Sequence, residues 1–422
     1  MRGDAMTRTT GLVALGAFLV AAGSAQATDG YFAKGYGTNY KAMAGAGVAL
    51  YLGTQAPATN PAAMVFLGQR YDIGIELFNP NRQFSVTGSP SGFPGTFGLA
   101  PGTIESGSSH FAVPAMGANW RVGENGTFGL SAYGNGGMNT DYAFPVFGVA
   151  PAGIDMSQMF LAPTYAHKLA SRHAVGLSAI LAYQRFEAKG LQGFSFFSND
   201  SSRLTNNDHA NSYGAGLRVG YLGELTNWLS VGASYQSRIH MSTFDEYAGL
   251  FAEKGGFDIP QTFTGGVAVK PVDKLTVALD VQWINYEGVP SVSNDFLPNL
   301  GLSRLGADDG AGFGWHDMTV YKAGLQYEAD KNWILRAGYS YGRQPIRDNE
   351  MLINILAPGV MEQHVTAGVT RLIKKGQALN LAIIRAIPKS VTGPNNLEAP
   401  SQQSIELRMD QWEFDISYSF GF

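Results

Sequence analysis

Residues 411–422, QWEFDISYSFGF, decide how the rest of the chain is read. Trp412, Phe414, Ile416, Tyr418, Phe420 and Phe422 fall on one side of a two-residue alternation. Gln411, Glu413, Asp415, Ser417, Ser419 and Gly421 fall on the other. Successive side chains of a strand point to opposite faces, so this segment has one oily face and one polar face. The same period recurs upstream. Over 229–240, Leu229, Val231, Ala233 and Tyr235 oppose Ser230, Ser234, Gln236, Arg238 and His240. Over 275–286, Leu275, Val277, Leu279, Val281 and Trp283 oppose Thr276, Asp280 and Gln282. Trp333, Leu335, Ala337, Tyr339 and Tyr341 oppose Arg336, Gly338 and Ser340. Aromatic residues gather near the ends of these segments, where amphipathic rings suit membrane interfaces.

A soluble β-sandwich alternates as well, and the connections separate the two readings. Short turns fall at 123–126, 171–172, 226–227, 272–273, 330–331 and 374–376. Between them lie long Gly/Pro/polar stretches at 88–107, 143–156, 189–208, 245–258, 287–315, 344–358 and 389–402. Six short turns alternating with seven long loops predict fourteen strands, the first over 71–84. An even strand count with unequal sides is the pattern of a transmembrane barrel, short turns facing the periplasm and long loops facing outward. Closure also satisfies every backbone polar group inside lipid, which an open sheet cannot do. The expected fold is all-β, a 14-stranded antiparallel transmembrane β-barrel over 69–422.

Composition agrees with that class. The 422 residues include 54 glycines and no cysteine, with 15% charged, 45% hydrophobic and 12% aromatic residues and a net charge of −4. Disulfide scaffolds, zinc ribbons and thiol enzymes need cysteine and are excluded. A mildly acidic chain without basic runs is no nucleic-acid binder. The apolar content is too high for a disordered chain. With a mean hydropathy of −0.05, the chain past its N-terminus carries no apolar run long enough for a spanning helix.

Residues 1–27 read as a secretory signal peptide: Arg8 supplies the basic region, 12–22 (LVALGAFLVAA) the apolar core, and Ala25-Gln26-Ala27 the cleavage site. An exported, cysteine-free chain of this kind points to a Gram-negative envelope, and with no cysteine to lipidate it is no lipoprotein; the expected barrel places it in the outer membrane. Residues 28–68 do not alternate and are rich in Gly, Ala, Asn and Thr. A segment of this length ahead of the first strand is expected inside the lumen as a hatch, because a wide barrel must be filled to stop leakage.

Here the chain resembles a known family. Gly45-Ala46-Gly47-Val48-Ala49 followed by Asn60-Pro61-Ala62-Ala63-Met64 is similar to the N-terminal hatch of the FadL family of outer-membrane transporters, with its Asn-Pro-Ala motif. Tyr133-Gly134-Asn135-Gly136-Gly137-Met138-Asn139-Thr140 resembles the third strand of the family's hydrocarbon-uptake members. Residues 247–253 (YAGLFAE) with Phe257-Asp258-Ile259-Pro260 are similar to their fourth outer loop, and Trp315-His316-Asp317 falls where many members read Trp-Lys-Asp. The resemblance implies uptake of long-chain fatty acids or, in the TodX-like branch, monoaromatic hydrocarbons. Cargo is captured among the outer loops, passed to a lumenal pocket, and released sideways into the bilayer at a kink in the third strand.

Residues fit those roles. Leu191, Phe194, Phe196, Phe197, Tyr247, Leu250, Phe251 and Phe257 are candidates for an apolar ligand groove, since apolar loop residues at this density mark binding surfaces. The alternative, that they pack together as loop core, is the less favoured reading. Gly134-Asn135-Gly136-Gly137 interrupts strand three, and glycine inside a strand marks a bulge or bend; this is the expected lateral opening. Asn60-Pro61-Ala62 is expected as a rigid turn facing that kink. Arg238, His240, His316 and Arg336 are candidates to meet a carboxylate head group; alternatively they join an interior network with Asp280, Glu413 and Asp415. Where a lysine would give a fixed charge, His316 is largely neutral at pH 7. Phe420 and Phe422 end the chain as a signal to the barrel-assembly machinery would.

Nothing in the sequence asks for a cofactor or a metal; Asp308-Asp309 is read as solvated loop. No G-x-S-x-G motif supports the rival reading of a barrel hydrolase, so no enzyme is expected. A general porin would lack the hatch. The implied partners are a hydrophobic small molecule, lipopolysaccharide and outer-membrane lipid, and the assembly machinery. A monomer is expected, and no nucleic acid.

Overall fold

The computed structural model describes residues 28–297, 299–374 and 376–421. The signal-peptide reading of 1–27 and the terminal Phe422 lie outside them. Fourteen strands form the wall: β1 (Arg70–Thr87), β2 (Phe111–Val122), β3 (Gly126–Tyr142), β4 (Ala152–Ala170), β5 (His173–Lys189), β6 (Ala210–Glu224) and β7 (Leu229–Gln236). They continue with β8 (Thr262–Val272), β9 (Leu275–Ile284), β10 (Met318–Glu328), β11 (Trp333–Gly342), β12 (Gln363–Lys374), β13 (Gln377–Pro394) and β14 (Ser404–Gly421). Each pairs antiparallel with its sequence neighbour, and β14 pairs with β1 from Arg70↔Gly421 to Thr87↔Ser404, which closes the barrel. Two short strands sit outside this count: Gly102–Glu105 on β1 and His240–Met241 on β6.

All six predicted short turns join consecutive strands, and the seven long connections lie at the opposite end. The alternation has the predicted sense. On β14, Trp412, Phe414, Ile416 and Phe420 are exposed, whereas Gln411, Glu413, Asp415 and Ser419 are buried. Ile73, Ile75 and Leu77 on β1, and Leu279 and Val281 on β9, extend the exposed apolar face around the wall. Such a continuous apolar belt belongs in lipid. Among the described residues no helix is long and apolar enough to cross a membrane.

The inward face is polar because it meets another part of the chain. Residues 28–67, broken into short turns of helix at Thr38–Lys41, Ala56–Ala58 and Pro61–Phe66, lie mostly buried against the inner wall, with Tyr51 exposed. The space inside the barrel is therefore filled by the residues that precede its first strand.

Candidate functional site

The lower part of this segment is fastened to the wall in every direction. Lys41 pairs with Glu76 and lies 3.8 Å from both Glu413 and Asp415; all four are nearly inaccessible. Thr38 donates to Asp415. Asp280 on β9 accepts the backbone N–H groups of Gly47 (2.7 Å) and Val48 (2.9 Å). Arg336 on β11 donates to Gln326, to Asn39 (3.1 Å) and to Thr370 (2.6 Å). Arg218 on β6 donates to the Pro57 carbonyl and to the Tyr133 hydroxyl.

Asn60 is the pivot of this base. Its Oδ1 accepts the Ala62 N–H at 3.1 Å and so caps the Pro61–Phe66 turn, a favoured role for asparagine. Its Nδ2 donates to the carbonyls of Val48 (2.7 Å) and Tyr221 (2.8 Å). A Cβ on Gly220 would collide with Asn60 Oδ1, so only glycine lets β6 come this close. The Asn-Pro-Ala turn therefore faces β4, β5 and β6 and not the kink, which corrects the expected orientation. Proline placement is set by the cap, and the cap by the Tyr221 carbonyl.

The upper part is different. The β2–β3 ladder runs only from Val122↔Gly126 to Met116↔Ala132. Beyond it, β2 from Phe111 to Ala115 pairs only with β1, and β3 from Tyr133 to Tyr142 pairs only with β4. Pro114 sits on the vacated edge of β2; lacking an N–H, proline tolerates an edge better than a central strand. Opposite it, Asn135 is an extra residue: Gly134 pairs with Met159 and Gly136 with Gln158, which makes Asn135 a bulge. Above the break the wall is drawn together again by Gly107 N–H to Asp141 O at 2.7 Å. The result is a break in the β2–β3 ladder, filled by Val113: a Cβ on Gly134 would lie 2.8 Å from Val113 Cγ1.

The N-terminal strap, residues 28–36, occupies the free edge of β3 from within. Ala33 N–H donates to Asn135 O, Gly137 N–H donates to Tyr31 O (both 2.9 Å), and Phe32 bridges Gly136. Asn135 also accepts from Tyr36 Oη and donates to Gln158. A Cβ at Gly136 would strike the Tyr31 carbonyl, so the glycine is what lets the strap zip to the strand. Around it, Tyr31 packs 5.2 Å from Tyr286 and 6.0 Å from both Trp315 and Phe257, centroid to centroid.

Of the predicted groove residues, Leu191, Phe194, Tyr247, Leu250, Phe251 and Phe257 are buried and belong to one cluster that continues down to Tyr31 and Phe32. Phe197 is packed against this cluster, and Phe196 stands 78% exposed at its rim. The predicted head-group residues are not brought together. Arg238 and His240 share Asp258 at 2.7 and 2.9 Å. His316 pairs with Glu287 at 2.9 Å and accepts from Arg347 at 3.2 Å. The hydrogen bond from His316 holds the Glu287 carboxyl below its ordinary value. Arg336 holds the hatch. Asp280, Glu413 and Asp415 do form an interior network, but with Lys41, Thr38 and the Gly47–Val48 backbone. Phe420 faces outward with its ring 5.2 Å from Tyr71. Sequence reading missed Pro114 and the strap residues Asp29, Tyr31, Phe32 and Lys34. Proline inside an alternating segment was the available signal for the first.

A closed antiparallel barrel with an apolar outer belt and a lumen filled by its own N-terminal segment defines an outer-membrane barrel of the transport type. Residues 13–411 match the family described as outer membrane protein transport protein (OMPP1/FadL/TodX), and the chain belongs to it. The toluene transporter TodX of Pseudomonas putida superposes with a TM-score of 0.67 at 18% identity, over 94% of this chain and 100% of that one. A Pseudomonas aeruginosa FadL homologue gives 0.68 at 15% identity over 93% and 100%. The Ralstonia pickettii toluene transporter TbuX gives 0.63 at 17% over 92% and 99%. At such identities the likeness carries the fold alone. No curated protein matches the chain.

Proposed function

We propose that this protein takes up hydrophobic compounds, long-chain fatty acids or related hydrocarbons, across the outer membrane. They enter among the apolar outer loops at the rim marked by Phe196, pass down the aromatic cluster, and leave sideways into the bilayer at the β2–β3 break. The observation that carries this reading is the end of the β2–β3 ladder at Met116↔Ala132, with the aromatic cluster of Tyr31 and Phe32 behind it. An oily solute leaving there passes from the aromatic cluster to lipid without release into water, the least costly path for it. The route from an aromatic nest to a lipid-facing seam suits a carrier. Monoaromatic cargo is the alternative, supported by the toluene transporters among the solved relatives.

The test is uptake of labelled oleate and labelled toluene by a deletion strain and by the same strain carrying the gene. The account expects complementation to raise uptake of at least one of them. Equal uptake of both in the two strains contradicts it.

A further inference from the structure

The short-turn end of the wall carries a cleft that takes no part in the route above. It holds about 520 Å³ and lies where the β10–β11 turn, the β12–β13 turn and the β1–β14 closing pair meet. Three cations line it, Arg70, Lys331 and Lys374, and no carboxylate does. Arg70 turns two of its five donors to Asp72. Among the described residues neither Lys331 nor Lys374 has an ion-pair partner. The adjacent Asp330 folds its carboxylate back on its own turn, where it accepts the Asn332 and Trp333 N–H groups at 2.7 and 3.1 Å. Charge of one sign is not general to this end of the barrel: the turn after β8 sets Asp273 beside Lys274, and the turn after β2 sets Arg121 close to Glu124.

The same cleft has an apolar side at the level of the membrane interface. Leu372 and Ile373 line it and are 37% and 52% exposed. Gln377, also in its wall, accepts the Tyr418 hydroxyl at 3.0 Å. Asn332, again in its wall, precedes Trp333, whose ring carries the Arg371 guanidinium at 4.5 Å from its centroid. Tyrosine and tryptophan at this height mark the boundary between water and lipid. We propose that the cleft is a site for the head group of an anionic glycerophospholipid of the inner leaflet, with the phosphate among Arg70, Lys331 and Lys374 and the glycerol end of the chains against Leu372 and Ile373. Basic pockets at a membrane surface recognise such head groups, and the apolar side separates this occupant from a soluble anion, which gains nothing from Leu372 and Ile373. Arg70 pairs with Gly421 in the ladder that closes the barrel. A phosphate held there ties two turns to the closing pair, so bound lipid stabilises the closed wall. The inference is independent of what the barrel carries.

The test uses the full-length protein in detergent micelles, with dioctanoyl phosphatidylglycerol, dioctanoyl phosphatidylcholine and glycerol phosphate as probes. Binding is read by native mass spectrometry, and closure by the heat-unfolding midpoint. Phosphatidylglycerol is expected to bind about tenfold more tightly than phosphatidylcholine, to bind more tightly than glycerol phosphate by at least as much, and to raise the midpoint. The double variant Lys331→Gln, Lys374→Gln, both exposed positions, should bring phosphatidylglycerol down to the level of phosphatidylcholine and abolish the rise in midpoint. Lys331→Arg, Lys374→Arg should keep both effects, as should Lys270→Gln, Lys274→Gln on the neighbouring turn. Equal binding of the two lipids by the wild type, or a preference that survives Lys331→Gln, Lys374→Gln, overturns the site. Glycerol phosphate binding as tightly as phosphatidylglycerol means that the cleft takes a soluble anion, and overturns the lipid assignment.

Discussion

The base of the hatch and the strap come from one stretch of about forty residues, yet they are held by different chemistry. The base is nailed to the wall by side chains: Asn60 to Tyr221, Lys41 to Glu76, Asp280 to Gly47 and Val48, Arg336 to Asn39. The strap is held by two main-chain hydrogen bonds on the buried strand edge that β2 leaves free, by the Tyr36–Asn135 side-chain bond, by ring packing, and by the Asp29–Lys34 pair. Buried ion pairs and capped turns are costly to break singly. Backbone zipping on an edge and aromatic packing can be exchanged for equivalent contacts with an apolar ligand. The comparison predicts that the base holds and that the strap, although it keeps one buried ion pair, yields first.

The largest expected effect comes from breaking the base. Lys41→Met leaves Glu76, Glu413 and Asp415 without their ammonium, and should cost about 3–5 kcal/mol, read as a lower denaturation midpoint of the refolded barrel. Asn60→Ala removes a cap and the amide donor shared by the Val48 and Tyr221 carbonyls, for a loss of about 2–4 kcal/mol; raised single-channel leak is its second readout. Ala33→Pro removes the N–H that donates to Asn135 O, and should change global stability by no more than about 1 kcal/mol while speeding exchange across the strap. If Ala33→Pro destabilises as strongly as Lys41→Met, the distinction between base and strap is wrong.

The smallest effect concerns the outer loop that roofs the strap. Trp315, which packs on Tyr31, donates to Asn354, and Asn354 donates to the Glu350 carbonyl. Burial pushes the Glu350 carboxyl up from 4.5 to about 7, although its Oε2 accepts the Phe296 N–H. A raised carboxylate value means the anchored loop binds the proton more readily than the open one. That contribution is present below pH 4.5 and is lost as the pH rises towards 7 and past it. After correction for intrinsic rates, hydrogen exchange over 343–362 should therefore be faster at pH 8 than at pH 5.5.

The wall was legible in the sequence because each strand reports its own two faces. Trp412 and Glu413 alone say which side meets lipid, and the turns at 171–172 and 226–227 need no distant partner. The lumen was less legible because its contacts join residues far apart in the chain. Asn60 was recognised as a motif, but its bond to Tyr221 spans 161 positions, so its orientation towards β6 could not be read locally. Arg238, His240, His316 and Arg336 carry the right chemistry and lie in three separate ion-pair or hydrogen-bond groups. The aromatic loop residues have no period, so sequence could not tell a groove lining from the packed cluster to which most of them belong.

Release through the seam can be tested by closing it. The chain has no cysteine, and Val113 and Gly134 face each other across the break at a separation that a disulfide can span. In the double variant Val113→Cys, Gly134→Cys, oxidation should cut uptake of labelled cargo by roughly tenfold or more, equivalent to about 1.4 kcal/mol or more of added barrier, and reduction should restore it. Unchanged uptake with the cross-link fully formed would contradict lateral release between β2 and β3.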